Sequence, residues 1–127
     1  MHNPYIKVHI YDNILPVKEI LFYRLNNKSP VADFLDSLSS KEAQKVLWVL
    51  KLVEELDNIS SKYYKKLKNA DDIIEVRISL GNNSFRLLGF EHEYKFVVLT
   101  NGFKKKDQKV PKSEIDLAIK RKKEYLK

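Results

Sequence analysis

The feature that most limits what this chain can fold into is a change of hydrophobic period near Ile73. From there the residues alternate in three runs, Ile73 to Leu80, Ser84 to Glu91 and Tyr94 to Asn101, separated by Gly81-Asn82-Asn83 and by a turn at Glu91-His92-Glu93. Connections this short join antiparallel neighbours, so the runs predict a β meander. Phe96-Val97-Val98-Leu99 is apolar on both faces, the pattern of a central strand covered from both sides.

Upstream, the signals are mainly helical. Ser29 followed by Pro30 supplies an N-cap and a first-turn proline, and Val31, Phe34, Leu35 and Leu38 follow at helical spacing. Ser39 and Glu42 have the spacing of a capping box, after which Ala43, Val46, Leu47, Leu50, Val53 and Leu56 trace the core stripe of a longer helix. Trp48, Val49 and Leu52 widen that stripe, which suits either a helix packed on two sides or one that meets a partner. Glu19 to Leu25 is a weaker strand candidate, while Tyr5, Lys7, His9 and Tyr11 alternate with Ile6, Val8 and Ile10 as a strand with one apolar face would. Pro111 opens a last helix with a narrow stripe of Ile115, Ala118, Ile119 and Leu126. With three glycines, four prolines and no repeats, little material remains for linkers, and a single α+β domain over residues 1–127 is expected.

The formal charge of +7 is unevenly placed: residues 102–127 carry nine lysines and one arginine against four carboxylates. Such asymmetry predicts one electropositive surface built by the C-terminal quarter. Lys104, Lys105, Lys106 and Lys109 crowd around Phe103. Ammonium groups this close repel unless an anion lies across them, and a nucleic-acid backbone is the commonest large polyanion. A solvated loop without function is the plainer alternative.

Several chemistries are disfavoured. There is no cysteine, and the histidines at positions 2, 9 and 92 are too scattered for a metal site. Neither a glycine-rich phosphate loop nor a serine-nucleophile motif is present, so neither metal nor cofactor is expected. Met1 to Val8 lacks the apolar core of a signal peptide, and no segment approaches the roughly 18 apolar residues of a membrane span, which predicts a cytoplasmic protein without membrane contact.

Glu75 and Arg77, two residues apart on a strand, share one face, while Ile74, Val76 and Ile78 take the other. Arg86, between Phe85 and Leu87, is a costly charge unless it is paired or aimed at an anion. A cross-strand pair of Glu75 with Arg77 or Arg86 could simply decorate the sheet. If instead Lys105 and Lys106 emerge beside those arginines, the set suits metal-independent RNA cleavage. The 2′-hydroxyl would attack the adjacent phosphate, guanidiniums would stabilise the added charge, and a lysine or glutamate would move protons. Lys62-Tyr63-Tyr64-Lys65-Lys66-Leu67-Lys68 interleaves aromatics with cations, a composition suited to unpaired RNA, although tyrosines after a helix also serve as core cover. Tyr64, Lys66 and Lys68 there, with Phe103, Lys104 and Lys109, are the candidate RNA contacts.

Leu67-Lys68 with Glu75-Val76-Arg77, Phe85-Arg86-Leu87-Leu88, and Gly102-Phe103-Lys104-Lys105-Lys106 with Gln108-Lys109, Pro111, Glu114-Ile115 and Ala118 follow one another in an order and spacing that resemble the HigB-type, phage-derived branch of the RelE toxin superfamily. The resemblance spans roughly residues 17 to 125. It implies a RelE-like fold: an N-terminal strand, two N-terminal helices packed on a mostly antiparallel twisted sheet, and a C-terminal helix. It also implies the toxin of a type II toxin–antitoxin system, a ribosome-dependent mRNA endoribonuclease that enters the A site, contacts rRNA and cuts mRNA there. The implied partner is a HigA-like helix-turn-helix antitoxin, through which alone operator DNA would be reached. Glu75, Arg77, Arg86, Lys105 and Lys106 match the family's catalytic positions.

The chain departs from that family in three places. Asn101 stands where many relatives carry histidine, and an amide cannot shuttle a proton. Val110 replaces a capping Ser or Thr, so Ser113 with Asp116 is expected to begin the last helix. Residues 1–15 have no counterpart and could add an edge strand. Two rival readings remain: a non-catalytic nucleic-acid-binding module, such as an inactivated toxin descendant, and an interaction protein that docks a partner on the helix between residues 40 and 57.

Overall fold

The computed structural model describes residues 17–127; the strand expected over residues 5–11 and the edge strand over 1–15 lie outside them. The order is β1 (Glu19–Phe22), α1 (Pro30–Asp36), α2 (Ser40–Glu55), β2 (Tyr64–Lys66), β3 (Ile74–Leu80), β4 (Asn83–His92), β5 (Phe96–Lys104) and α3 (Lys112–Tyr125). The domain is α+β, with a five-stranded sheet in the order β1-β5-β4-β3-β2. The sheet is mixed, because β1 lies parallel to β5 whereas all other neighbours are antiparallel. The expectation of two N-terminal helices is corrected: α1 and α2 stand between β1 and β2, carrying the chain from one edge of the sheet to the other.

Local chemistry accounts for the helix starts. Ser29 Oγ accepts the amide of Ala32 at 3.1 Å, with Pro30 in the first turn of α1. Ser39 and Glu42 form the reciprocal capping box of α2 at 3.2 and 3.0 Å. The cap expected from Ser113 and Asp116 does not form. Pro111 is the N-cap of α3, its carbonyl taking the Glu114 amide, and Asp116 accepts Lys112 Nζ instead.

Two apolar cores lie on opposite faces of the sheet. Ile74, Val76, Ile78, Phe85, Leu87, Val97 and Leu99 pack against Val31 of α1 and Val46, Val49, Leu50 and Val53 of α2. Leu88, Phe90 and Val98 pack against Ala118 of α3, with Ile115 and Ile119 flanking. Val97 and Val98 thus belong to different cores, which is what the doubly apolar β5 requires.

The turns sit slightly off their expected places. Leu80 pairs with Asn83, so the β3–β4 turn is Gly81-Asn82, with Gly81 at φ +60°. Glu91 and His92 stay in β4, and the next turn centres on Glu93 and Tyr94, at φ +55° and +60°. More consequential is β5, which continues through Gly102-Phe103-Lys104 instead of ending at Asn101. A bulge makes this possible: Leu88 pairs with Asn101 and Gly89 with Leu99, leaving Thr100 as the extra residue. A Cβ on Gly89 would lie 2.1 Å from the Val98 carbonyl oxygen, so only glycine permits the approach there.

Candidate active site

Burying Ile74, Val76 and Ile78 under α1 and α2 obliges Glu75 and Arg77 to face the α3 side. The same alternation, between Phe85 and Leu87, directs Arg86 to that side, directly opposite Arg77 in the β3–β4 register. Beyond the bulge, Asn101 and Phe103 face α3, whereas Gly102 faces Phe34 and Leu87 on the opposite face. Lys105 is fixed just past the end of β5, its amide donating to the Ser84 carbonyl at 2.8 Å.

The centre of the cluster is buried. Glu75 and Arg86 are 3% and 5% exposed, and Arg86 Nε donates to Glu75 Oε2 at 3.0 Å. Arg86 Nη1 donates to Ser84 Oγ at 2.8 Å and to the Phe85 carbonyl at 2.9 Å. Arg77 Nε stands 3.8 Å from Glu75 Oε1, with a more open side chain. A single carboxylate therefore holds two guanidiniums. Burial lowers the pKa of Arg86, with Glu75 opposing and Arg77 adding to the shift. Burial also lowers the pKa of Lys105, helped by Arg86, Arg77 and Lys65 and resisted by Glu75.

The structure brings together Glu75, Arg77, Arg86 and Lys105 of the predicted set, with half-buried Phe103 as the cross-strand partner of Arg86. Lys106 and Lys109 are exposed in the following loop. Lys104 lies on the other face, close enough to Glu42 of α2 to lower its pKa, although the Ser39 amide is the larger cause. Tyr64 also turns from the cluster: it packs on the α1–α2 core and its hydroxyl donates to Glu91 Oε2 at 2.9 Å. Burial drives the pKa of that phenol far up. Lys66 stands 3.7 Å from Asp72, and Lys68 is exposed in the turn after β2.

One contributor went unrecognised in the sequence. Lys65 is the cross-strand partner of Glu75 and therefore shares its face. Alternation against a core-facing Tyr64 was the available signal. Asn101 is tied to α3: its Nδ2 donates to Glu114 Oε1 at 2.9 Å and to the Glu114 carbonyl at 3.2 Å.

These contacts define an α+β domain that presents, at one end of its sheet, a cationic cluster organised by a single buried carboxylate, chemistry suited to holding a phosphodiester. Residues 33–123 match the family described as Phage derived protein Gp49-like (DUF891), and the chain belongs to that family. The family is of the RelE toxin-like kind, associated with the toxins of toxin–antitoxin pairs. A search of curated proteins gives no match.

Proposed function

We propose that the protein is the toxin of a type II toxin–antitoxin system, of the HigB-type branch, and acts as a ribosome-dependent mRNA endoribonuclease. The observation that carries this reading is the gathering of Arg77, Arg86 and Lys105 around Glu75 on one sheet face. Arg86 is locked through Nε and Nη1, which leaves Nη2 for a phosphate oxygen. Arg77, more exposed, supplies a second guanidinium to the charge that accumulates at phosphorus. Lys105 or Lys106, as the neutral amine, removes the proton from the 2′-hydroxyl; the 2′ oxygen then bonds to phosphorus while the bond to the 5′ oxygen breaks, and the departing oxygen takes a proton from water. The lowered pKa of Lys105 favours it for the proton transfer. Glu75, engaged by both arginines, orients them. Under this reading a HigA-like helix-turn-helix antitoxin silences the protein, which meets its mRNA and rRNA in the cytoplasm.

The test is expression of the intact chain alongside Arg77→Ala and Arg86→Ala. The intact chain should arrest translation and yield cut mRNA, and each variant should do neither while remaining folded. Full toxicity in both variants overturns the assignment. RNA binding without arrest or cleavage by the intact chain would instead make it a binding module.

A further inference from the structure

An aromatic and cationic cluster where α2 meets the β2 edge takes no part in that cleavage chemistry. Trp48, the chain's single tryptophan, is 47% exposed on α2. The buried face of that helix is already filled by Val46, Val49, Leu50 and Val53, so core packing does not account for the outer part of the indole. Its ring meets Tyr63 edge-on, with centroids 5.8 Å apart. Lys45 Nζ stands 4.5 Å from the Trp48 ring centroid and Lys62 Nζ 5.3 Å from that of Tyr63. Among the described residues neither lysine is paired with a carboxylate.

The cluster lies on the α2 side of the β2 edge, across that edge from the cationic face, which is on the α3 side. The Tyr63 carbonyl accepts the Arg77 amide at 2.8 Å, and Lys65, two residues further on, shares the face of Glu75. Lys105, Arg86, Arg77 and Lys65 thus form a diagonal across β5, β4, β3 and β2: Lys105 lies level with Ser84 and Lys65 level with Glu75, two residues to either side of the arginine pair, so the line is roughly 20 Å long at ordinary strand spacing and rise. The row ends at the edge where Tyr63 meets Trp48.

We propose that Trp48 and Tyr63, flanked by Lys45 and Lys62, form a base-stacking subsite for unpaired RNA that passes over the β2 edge from the scissile phosphate. The RNA runs past Lys65 on the α3 side and rounds the β2 edge to reach it. For its ligand this rests on the RNA-cleaving reading above. The alternation of ring faces with ammonium groups matches the alternation of bases with phosphates along a single strand. A protein segment covering the patch would need carboxylates placed against Lys45 and Lys62, and the nearness of the arginine cluster across the β2 edge favours RNA.

The test uses the intact chain and a single-stranded oligoribonucleotide of about ten residues, 2′-O-methylated so that it binds without being cut. Because Trp48 is the sole indole, its emission should be quenched in step with binding measured by anisotropy. Trp48→Ala should weaken affinity roughly tenfold, and Trp48→Phe, which keeps a stacking face, should restore most of it. Lys45→Ala with Lys62→Ala should weaken binding less and flatten its salt dependence. Binding with unchanged Trp48 emission and full affinity in Trp48→Ala overturns the subsite, yet leaves the cleavage reading standing if Arg86→Ala still abolishes cutting. Loss of antitoxin binding in Trp48→Ala with RNA affinity intact would assign the patch to a protein partner and likewise overturn the proposal. Failure of the cleavage reading has a separate signature, toxicity that survives Arg77→Ala and Arg86→Ala.

Discussion

Arg77 and Arg86 stand directly opposite each other on β3 and β4, two like charges in a position that ordinarily destabilises a sheet. Glu75 offsets the repulsion by contacting both, at 3.8 and 3.0 Å. The arrangement keeps positive charge concentrated without letting the strands separate, and an incoming phosphate would relieve the remaining repulsion. Stability and anion affinity therefore pull against each other at these positions.

Removing the shared carboxylate exposes that conflict. Glu75→Ala leaves Arg86 buried beside Arg77 with no counter-charge, and should cost about 3 kcal/mol in denaturant unfolding. Glu75→Gln retains an acceptor for Arg86 Nε and should cost less. Equal, small losses in both variants would mean that the pair contributes little.

The pH dependence follows from Lys105. Its pKa in the folded chain is lowered, so between that value and the unfolded one the unfolded chain holds more protons, and this group's contribution to stability rises with pH across the window. Below the window the penalty is fully present, and Lys105→Gln should raise the melting temperature at neutral pH. If the neutral amine is the base, single-turnover cleavage should climb with pH to a plateau set by Lys105. Lys105→Arg should then bind RNA and fail to cut it, whereas Lys106→Arg should cut. The opposite pattern would transfer the proton role to Lys106.

Salt dependence counts the phosphate contacts. Each lysine lost from a single-strand interface should reduce the slope of log affinity against log salt by about 0.7. Lys65→Ala should show that reduction. Lys18→Ala should not, because Lys18 is already paired with Glu91 among the described residues.

Gly102 tests the packing behind the cluster. A Cβ there would lie 2.5 Å from Leu87 Cδ2 and 2.6 Å from Phe34 Cδ2, so α1 rests on this strand with no spare space. Gly102→Ala should cost about 1–3 kcal/mol through overpacking and slow cleavage by displacing Lys105. Phe34→Leu in the same chain should recover part of the stability. No change on Gly102→Ala would show that α1 yields freely.

Local sequence determined the elements and much of the candidate site. Ser29-Pro30 and the Ser39–Glu42 box started their helices as the side chains dictated, and alternation through β3 and β4 placed Glu75, Arg77 and Arg86 on the face opposite Ile74, Val76, Ile78, Phe85 and Leu87. Those outcomes depend on neighbours within a few residues, so they can be read from spacing. What only the tertiary structure decided depends on pairings distant in the chain. The parallel contact of β1 with β5, the bulge at Thr100 that carries β5 on to Lys104, and the turning of Tyr64 toward Glu91 while Lys65 joins Glu75 are all set by register. Register follows from how two cores pack on opposite faces of one sheet, and a shift of one residue reverses every side chain.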